Sequence, residues 1–211
     1  MGKTERLYLT TTRVTDRFYL LSTAPQKHVG ALRQQVDLAD RTTMNNDSYP
    51  DVILDKKPDL ASGYAFLTPP FSRSEEVSGL DGVVRLRVNK RDLDVGLALY
   101  EMLPDGRLFQ LTYDTERASY AADMSTRHLL MAGEDAAIPL DQYGLFSKLV
   151  GRGSRLLLTV NVDKNAFAEI NYGTGRDVGT ENVDDAGAPM KVEWLTSSYI
   201  RLRLHDADTV R

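Results

Sequence analysis

Apolar and polar residues alternate with a period of two along much of this chain. Val84, Leu86 and Val88 stand against Arg85, Arg87 and Asn89, and Ile200, Leu202 and Leu204 stand against Arg201 and Arg203. That period sends one face of an extended strand into a core and the other into water. It is clearest from Asn89 to Thr112, where Val95, Leu97 and Leu99 alternate with Gly96, Ala98 and Tyr100 before a Pro104-Asp105-Gly106 break. Pro104 pre-sets φ for the second position of a type I turn, and Gly106 supplies the φ > 0 residue that rejoins two strands of a hairpin. Gly96, Ala98, Tyr100 and Met102 make a second face nearly as apolar as the first, which predicts cover on both sides. If another body supplies that cover, the chain alone exposes a patch above a few hundred Å².

The same signals predict strands over Arg6 to Thr11, Arg17 to Leu21, Gln35 to Leu38, Tyr64 to Thr68, Glu75 to Ser78, Gly82 to Val88, Asp94 to Leu103 and Leu108 to Tyr113. Further strands are expected over Arg127 to Met131, Ala136 to Pro139, Ser154 to Val162, Lys191 to Leu195 and Tyr199 to Leu204. Helical spacing occurs once, in Leu145, Phe146 and Leu149 within Leu140 to Val150. Between Ala39 and Ala61 the chain turns to loop chemistry, and a long loop in a compact domain usually carries function. The expected fold is all-β: an antiparallel jelly-roll β-sandwich of the galactose-binding-domain-like kind, with long loops and at most one or two short helices. Residues 1–5 read as a leader or a boundary segment and 6–211 as a single jelly-roll domain.

Length and charge narrow the function. At 211 residues there is room for one sizeable core. A net charge of −4 with dispersed basic residues lacks the electrostatic footprint of a nucleic-acid binder. No window approaches the roughly 18 apolar residues of a membrane-spanning helix, and the start lacks an apolar signal core, so a soluble chain is expected; its compartment stays open, with the cytoplasm favoured. The absence of cysteine removes disulfides, thiolate nucleophiles and zinc-thiolate sites.

Candidate chemistry is sparse, and no catalytic residue, cofactor or metal is expected. A serine hydrolase of the α/β class needs a strained G-x-S-x-G elbow, and no such pentapeptide occurs; Ser154, after Gly151-Arg152-Gly153, reads as a turn residue. His28, His128 and His205 have no partner nearby in sequence and no metal-ligand spacing. Asp92 and Asp94 invite a calcium reading. The alternative is bonding to loop backbone or pairing with Lys90, Arg91 or Arg117, since two carboxylates pointing the same way repel without a cation. Glu101 shares the inward face of Val95, Leu97 and Leu99, so an arginine is expected to meet it unless it lies at the sheet rim. Gly173 and Gly175 read as φ > 0 turn positions rather than a phosphate loop, which would need the full G-x-G-x-x-G and a following helix. Trp194, Tyr172, Tyr199 and Tyr120 are either core residues or a sugar-stacking platform.

An ordered set of motifs then adds a resemblance. Val77-Ser78-Gly79, Asp92-Leu93-Asp94-Val95 leading to Leu99-Tyr100-Glu101, Pro104-Asp105-Gly106, Arg117-Ala118-Ser119-Tyr120, Gly153-Ser154-Arg155-Leu156, Asn171-Tyr172-Gly173-Thr174-Gly175 and Ser198-Tyr199-Ile200 span residues 6 to 204. In order and spacing they resemble the C-terminal domain of X-Pro dipeptidyl-peptidase and CocE/NonD (cocaine-esterase-like) serine hydrolases. The resemblance implies a non-catalytic jelly roll that packs on an α/β-hydrolase catalytic domain and helps wall its substrate pocket. It implies a parent enzyme that hydrolyses esters or dipeptidyl amides. A chain starting just before its first strand then reads as a domain cut from a longer enzyme or encoded on its own. The candidate interface is Thr43 to Ile53, with Thr43, Asn45, Asn46, Tyr49 and Ile53 as contact residues, because loops held by a rigid sandwich commonly carry contacts. Expected partners are the catalytic domain and a second copy of the chain. The alternative is a stand-alone carbohydrate-binding module.

Overall fold

The computed structural model describes residues 2–44, 54–55, 63–141 and 144–206. Among the described residues thirteen strands are present: β1 (Lys3–Arg13), β2 (Phe18–Ser22), β3 (Ala31–Val36), β4 (Leu54–Asp55), β5 (Gly63–Leu67), β6 (Glu75–Val88), β7 (Asp94–Met102), β8 (Leu108–Arg117), β9 (Ala136–Leu140), β10 (Ser147–Val150), β11 (Arg155–Val162), β12 (Met190–Leu195) and β13 (Tyr199–Asp206). Three single-turn 3₁₀ segments, Ala118–Tyr120, Val178–Thr180 and Val183–Ala186, are the helical content of the described residues.

The strands form one continuous path, β3-β12-β6-β13-β1-β2-β5-β11-β7-β8-β4, with β9 and β10 on the far edge of β6. Its two halves face each other. Leu7, Leu86 and Ile200 from one half and Val95, Leu97, Leu158 and Val160 from the other share a single buried cluster, as in a sandwich. The all-β sandwich expected from the period-two pattern is therefore the fold. Among the described residues every pairing is antiparallel except that of β2 with β5, which run parallel.

The hairpin forms as its turn residues require. Leu103 N and Arg107 O close it at 2.8 Å, the Gly106 amide donates to Leu103 O at 2.8 Å, and Gly106 has φ 87°. A type I turn followed by a left-handed residue matches the right-handed twist of the two strands.

Several elements differ from the expectation. β1 starts at Lys3, because pairing of Lys3 with Leu204 and Glu5 with Leu202 occupies backbone groups of the expected leader. The strands expected on either side of Gly79 are one 14-residue strand, β6. Gly79 sits inside it at φ 59°, and its register with β13 shifts between Leu202 and Arg203, the mark of a bulge rather than an end. Arg127 to Met131 is extended but joins no sheet: the His128 amide bonds Ser119 O and the Leu130 amide bonds Arg91 O, so its backbone is satisfied by loops. The helical spacing in Leu140 to Val150 does not produce a helix. Ser147 to Val150 instead pairs with Glu75 to Ser78, which leaves Leu145 99% exposed. The second face of β7 is closed rather than open. Ala98 and Tyr100 pack with Ala65, Leu67, Leu108 and Leu157 in a smaller cluster and are 0% and 4% exposed.

Candidate functional site

At one end of the sandwich β7 begins, β8 and β11 finish, and three long connections meet. Strand β7 enters with Asp92 and Asp94, β8 leaves through Arg117 and Ser119, and the segment after β11 returns with Asn171 to Gly175. Three of the motifs singled out in sequence thus meet at one point.

Asp92 is fully buried. Its Oδ1 accepts bonds from the amides of Leu93 (3.0 Å) and Ser119 (2.9 Å), and its Oδ2 from Ser119 Oγ (2.7 Å) and Arg127 Nη2 (2.9 Å). Asp94, 6% exposed, receives a bidentate fork from Arg117, with both nitrogens at 2.9 Å, and a third bond from Asn171 Nδ2 at 2.9 Å. Each carboxylate thus has its own guanidinium, which answers the repulsion expected of the pair. The bonds to Asp94 hold the Arg117 guanidinium above its ordinary range. Arg117 was an expected partner. Arg127 was not, because nothing local connects it to a residue 35 positions away.

The glycines set how closely these loops approach. Gly173 has φ 75°, and a Cβ there would lie 2.7 Å from Asp92 O and 2.8 Å from Lys90 Cβ. Gly175, at φ 88°, lies under Leu129, and its carbonyl accepts from Arg127 Nη1 at 3.1 Å. Both are turn positions, as expected, and both are also contact positions.

Beside this network runs the segment after β3. Lys164, 2% exposed, donates to Asp37 O at 2.8 Å and sits 3.7 Å from Asp40 Oδ2. Arg41 bonds the hydroxyl of Tyr172 and stacks over its ring. The Asp40 carboxyl is held well below the usual range by the hydroxyl and amide of Thr42 and by a side-chain bond from Thr43. Thr43 itself is exposed. Asn45, Asn46, Tyr49 and Ile53 lie outside the described residues.

Glu101 does not join this site. It lies at the far end of β7, roughly 23 Å away at the rise of an extended strand. It is 1% exposed and is met by Lys148 Nζ (3.0 Å) and the Gly151 amide (3.2 Å), so the partner is a lysine where an arginine was expected. Lys148 comes from β10 on the other layer, which makes the pair a clamp across the sandwich. Gly106 also lies at that end, as does Ser154, a buried turn residue whose amide bonds Gly151 O.

One further carboxyl is perturbed. Glu116 on β8 pairs with Val95, is 7% exposed, and its Oε1 has no hydrogen-bond partner. Burial, then the charges of Asp114 and Asp141, push it up to about 7, and burial raises Asp114 as well. Among the described residues β8 pairs with β7 throughout but with β4 only at Phe109 and Leu108. Inward-pointing charge is one way an edge strand resists further pairing.

Two of the four aromatic residues are core side chains. Trp194 is 1% exposed with Nε1 bonded to Gln34 Oε1 at 2.8 Å, and Tyr172 is 2% exposed; both belong to the core. Among the described residues no group of three or more His, Asp or Glu side chains could hold a metal ion.

Comparison with known proteins bears on the whole chain. The sequence profile described as the X-Pro dipeptidyl-peptidase C-terminal non-catalytic domain matches residues 2–191. No curated protein matches. Among solved structures, an α-amino acid ester hydrolase is similar at TM-score 0.80 and 15% identity, over 96% of this chain and 36% of that one. An aminopeptidase from a marine sediment Thaumarchaeota archaeon gives 0.77 and 15%, over 97% and 37%. A CocE/NonD family hydrolase from Staphylococcus aureus gives 0.63 and 12%, over 97% and 37%. The chain spans little more than a third of the length of these structures.

Proposed function

The chain belongs to the C-terminal non-catalytic domain family of X-Pro dipeptidyl-peptidases, and from that membership we propose that it is the scaffold and docking body for an α/β-hydrolase domain. In this reading the partner carries the nucleophilic serine and attacks an ester or dipeptidyl amide carbonyl. The jelly roll supplies the rigid base and one wall of the pocket. The observation that carries the proposal is the family match over residues 2–191. The Asp92–Arg127 and Asp94–Arg117 network supports it: two buried carboxylates, each met by a part-exposed guanidinium, tie the connecting loops together, as a platform for another body requires.

In this reading the interface consists of Thr43, Asn45, Asn46, Tyr49 and Ile53, which follow in sequence the Asp37 to Thr43 segment, where Lys164 bonds Asp37 O. Supplying the parent's catalytic domain in trans tests this. Tyr49→Ala and Ile53→Ala are expected to weaken its association about tenfold each, and unchanged binding refutes the placement. The isolated chain is expected to turn over neither chromogenic esters nor dipeptidyl-proline amides above buffer. Acyl-enzyme formation on the chain alone refutes the non-catalytic role.

A further inference from the structure

Strand β8 turns polar side chains to the side where its neighbour turns apolar ones. Thr112, Asp114 and Glu116 pair with Leu99, Leu97 and Val95, which belong to the main core cluster. Residues opposite each other on an antiparallel ladder share a face, so β8 carries two carboxylates inward. Asp114 accepts from the Thr115 amide at 2.7 Å. Glu116, 7% exposed, has no hydrogen-bond partner at Oε1, and the charges acting on it, Asp114 and Asp141, are both of its own sign. Arg117, next in sequence, is turned to Asp94 instead.

Glu116 lines an open cleft of about 470 Å³ at the loop end of β8, together with Thr115, Arg117, Tyr120, Met124 and Ser125. Three of these walls are already committed. Thr115 Oγ1 bonds Asp163 Oδ2 at 3.0 Å, Arg117 forks onto Asp94, and Ser125 Oγ bonds Asp123 Oδ1 at 2.7 Å. What the cleft offers a visitor is the Glu116 carboxylate, the Tyr120 ring and the Met124 side chain, which is 66% exposed. Among the described residues the acidic groups do not converge as metal ligands do. A buried carboxylate without a counter-ion costs the fold until a cation reaches it. A lysine or arginine side chain can, because its aliphatic stem packs on apolar walls while its head meets the charge.

We propose that this cleft receives a lysine or arginine side chain of the α/β-hydrolase body, its stem lying along Met124 and Tyr120 and its charged head meeting Glu116. The inference rests on the docking reading above and names one contact within it. This chain covers 36% to 37% of the similar hydrolases, so the larger body of such an enzyme is the source of the cation.

Calorimetry of the full chain with the parent's catalytic domain, at pH 5.5 and pH 8 and constant ionic strength, tests the proposal. The fold favours neutral Glu116, whereas a cation beside it favours the ionised form, so association releases a proton and tightens as pH rises. The wild-type chain is expected to bind about tenfold more tightly at pH 8 than at pH 5.5, and Glu116→Gln to lose that difference. Met124→Trp, at an exposed position, is expected to fill the cleft and weaken association at both pH values. A Glu116→Gln variant that binds as the wild type does at both pH values, or a Met124→Trp variant that binds unchanged, overturns this inference and leaves the docking reading standing. Absence of association by the wild-type chain at either pH refutes the docking reading and this inference with it.

Discussion

The two ends of β7 bury carboxylates for different purposes. At its start Asp92 and Asp94 take seven hydrogen bonds between them, three of them from Arg117 and Arg127 to Asp94 and Asp92, and the groups involved come from loops far apart in the chain. At its end Glu101 takes one bond from an ammonium and one from an amide, and joins two layers already packed by their strands. The loop end joins connections that lie outside the strand ladders, and planar, multi-donor guanidiniums tie these connections to the start of β7. The turn end is ordered by a Pro-Asp-Gly hairpin and needs a single clamp.

Asp92→Ala tests this difference most severely. It removes the acceptor of the fully buried Ser119 hydroxyl and of the part-buried Arg127 guanidinium and is expected to cost about 3 kcal/mol, read by urea denaturation. A loss below 1 kcal/mol would mean that the loops are ordered by something else. Lys148→Met, at the other end, leaves Glu101 buried with only the Gly151 amide and is expected to cost about 2 kcal/mol at neutral pH. Pairing it with Glu101→Gln is expected to recover most of that loss, since the unpaired charge is then gone.

Gly106→Val probes the turn alone. A Cβ at Gly106 meets nothing within 4 Å, so the cost is that of a β-branched residue at φ 87°, about 1–2 kcal/mol by thermal melting. Gly173→Ala adds the clash with Asp92 O to a positive φ and is expected to cost more. An equal loss at the two glycines would erase the distinction between a free turn and a packed one.

The smallest effect belongs to Glu116, midway between these regimes as a buried carboxyl without a counter-ion. Its folded value of about 7 lies above the ordinary 4.5, so the fold favours the neutral form. Its contribution to stability is whole below about pH 4.5, is lost as pH rises through 7, and stays lost above. Glu116→Gln is therefore expected to leave stability unchanged at pH 4 and to raise it by about 1 kcal/mol at pH 8, the gain being limited by solvent near the sheet edge. A gain at pH 4 as large as at pH 8 would show that ionisation is not the cause.

The strands were legible because their signal is local. Alternation in Val84 to Val88 or Ile200 to Leu204 is set by neighbours two residues apart, and Pro104 to Gly106 carries its turn within three residues. The same local reading misassigned Arg127 to Met131 and Leu140 to Val150, where an apolar run or a helical spacing had no say over which strand lay alongside. The site was half legible: Asp94 with Arg117 was among the expected pairs, while Arg127, Lys148 and Asn171 carried no signal tying them to their partners. Composition and periodicity by themselves determined an all-β chain with a core on one side of most strands, because burial of alternate side chains is a property of each segment. Only the tertiary structure decided which cation meets which buried carboxylate at the two ends of β7, because these pairs join residues 23 to 47 positions apart and exist only once the layers have closed.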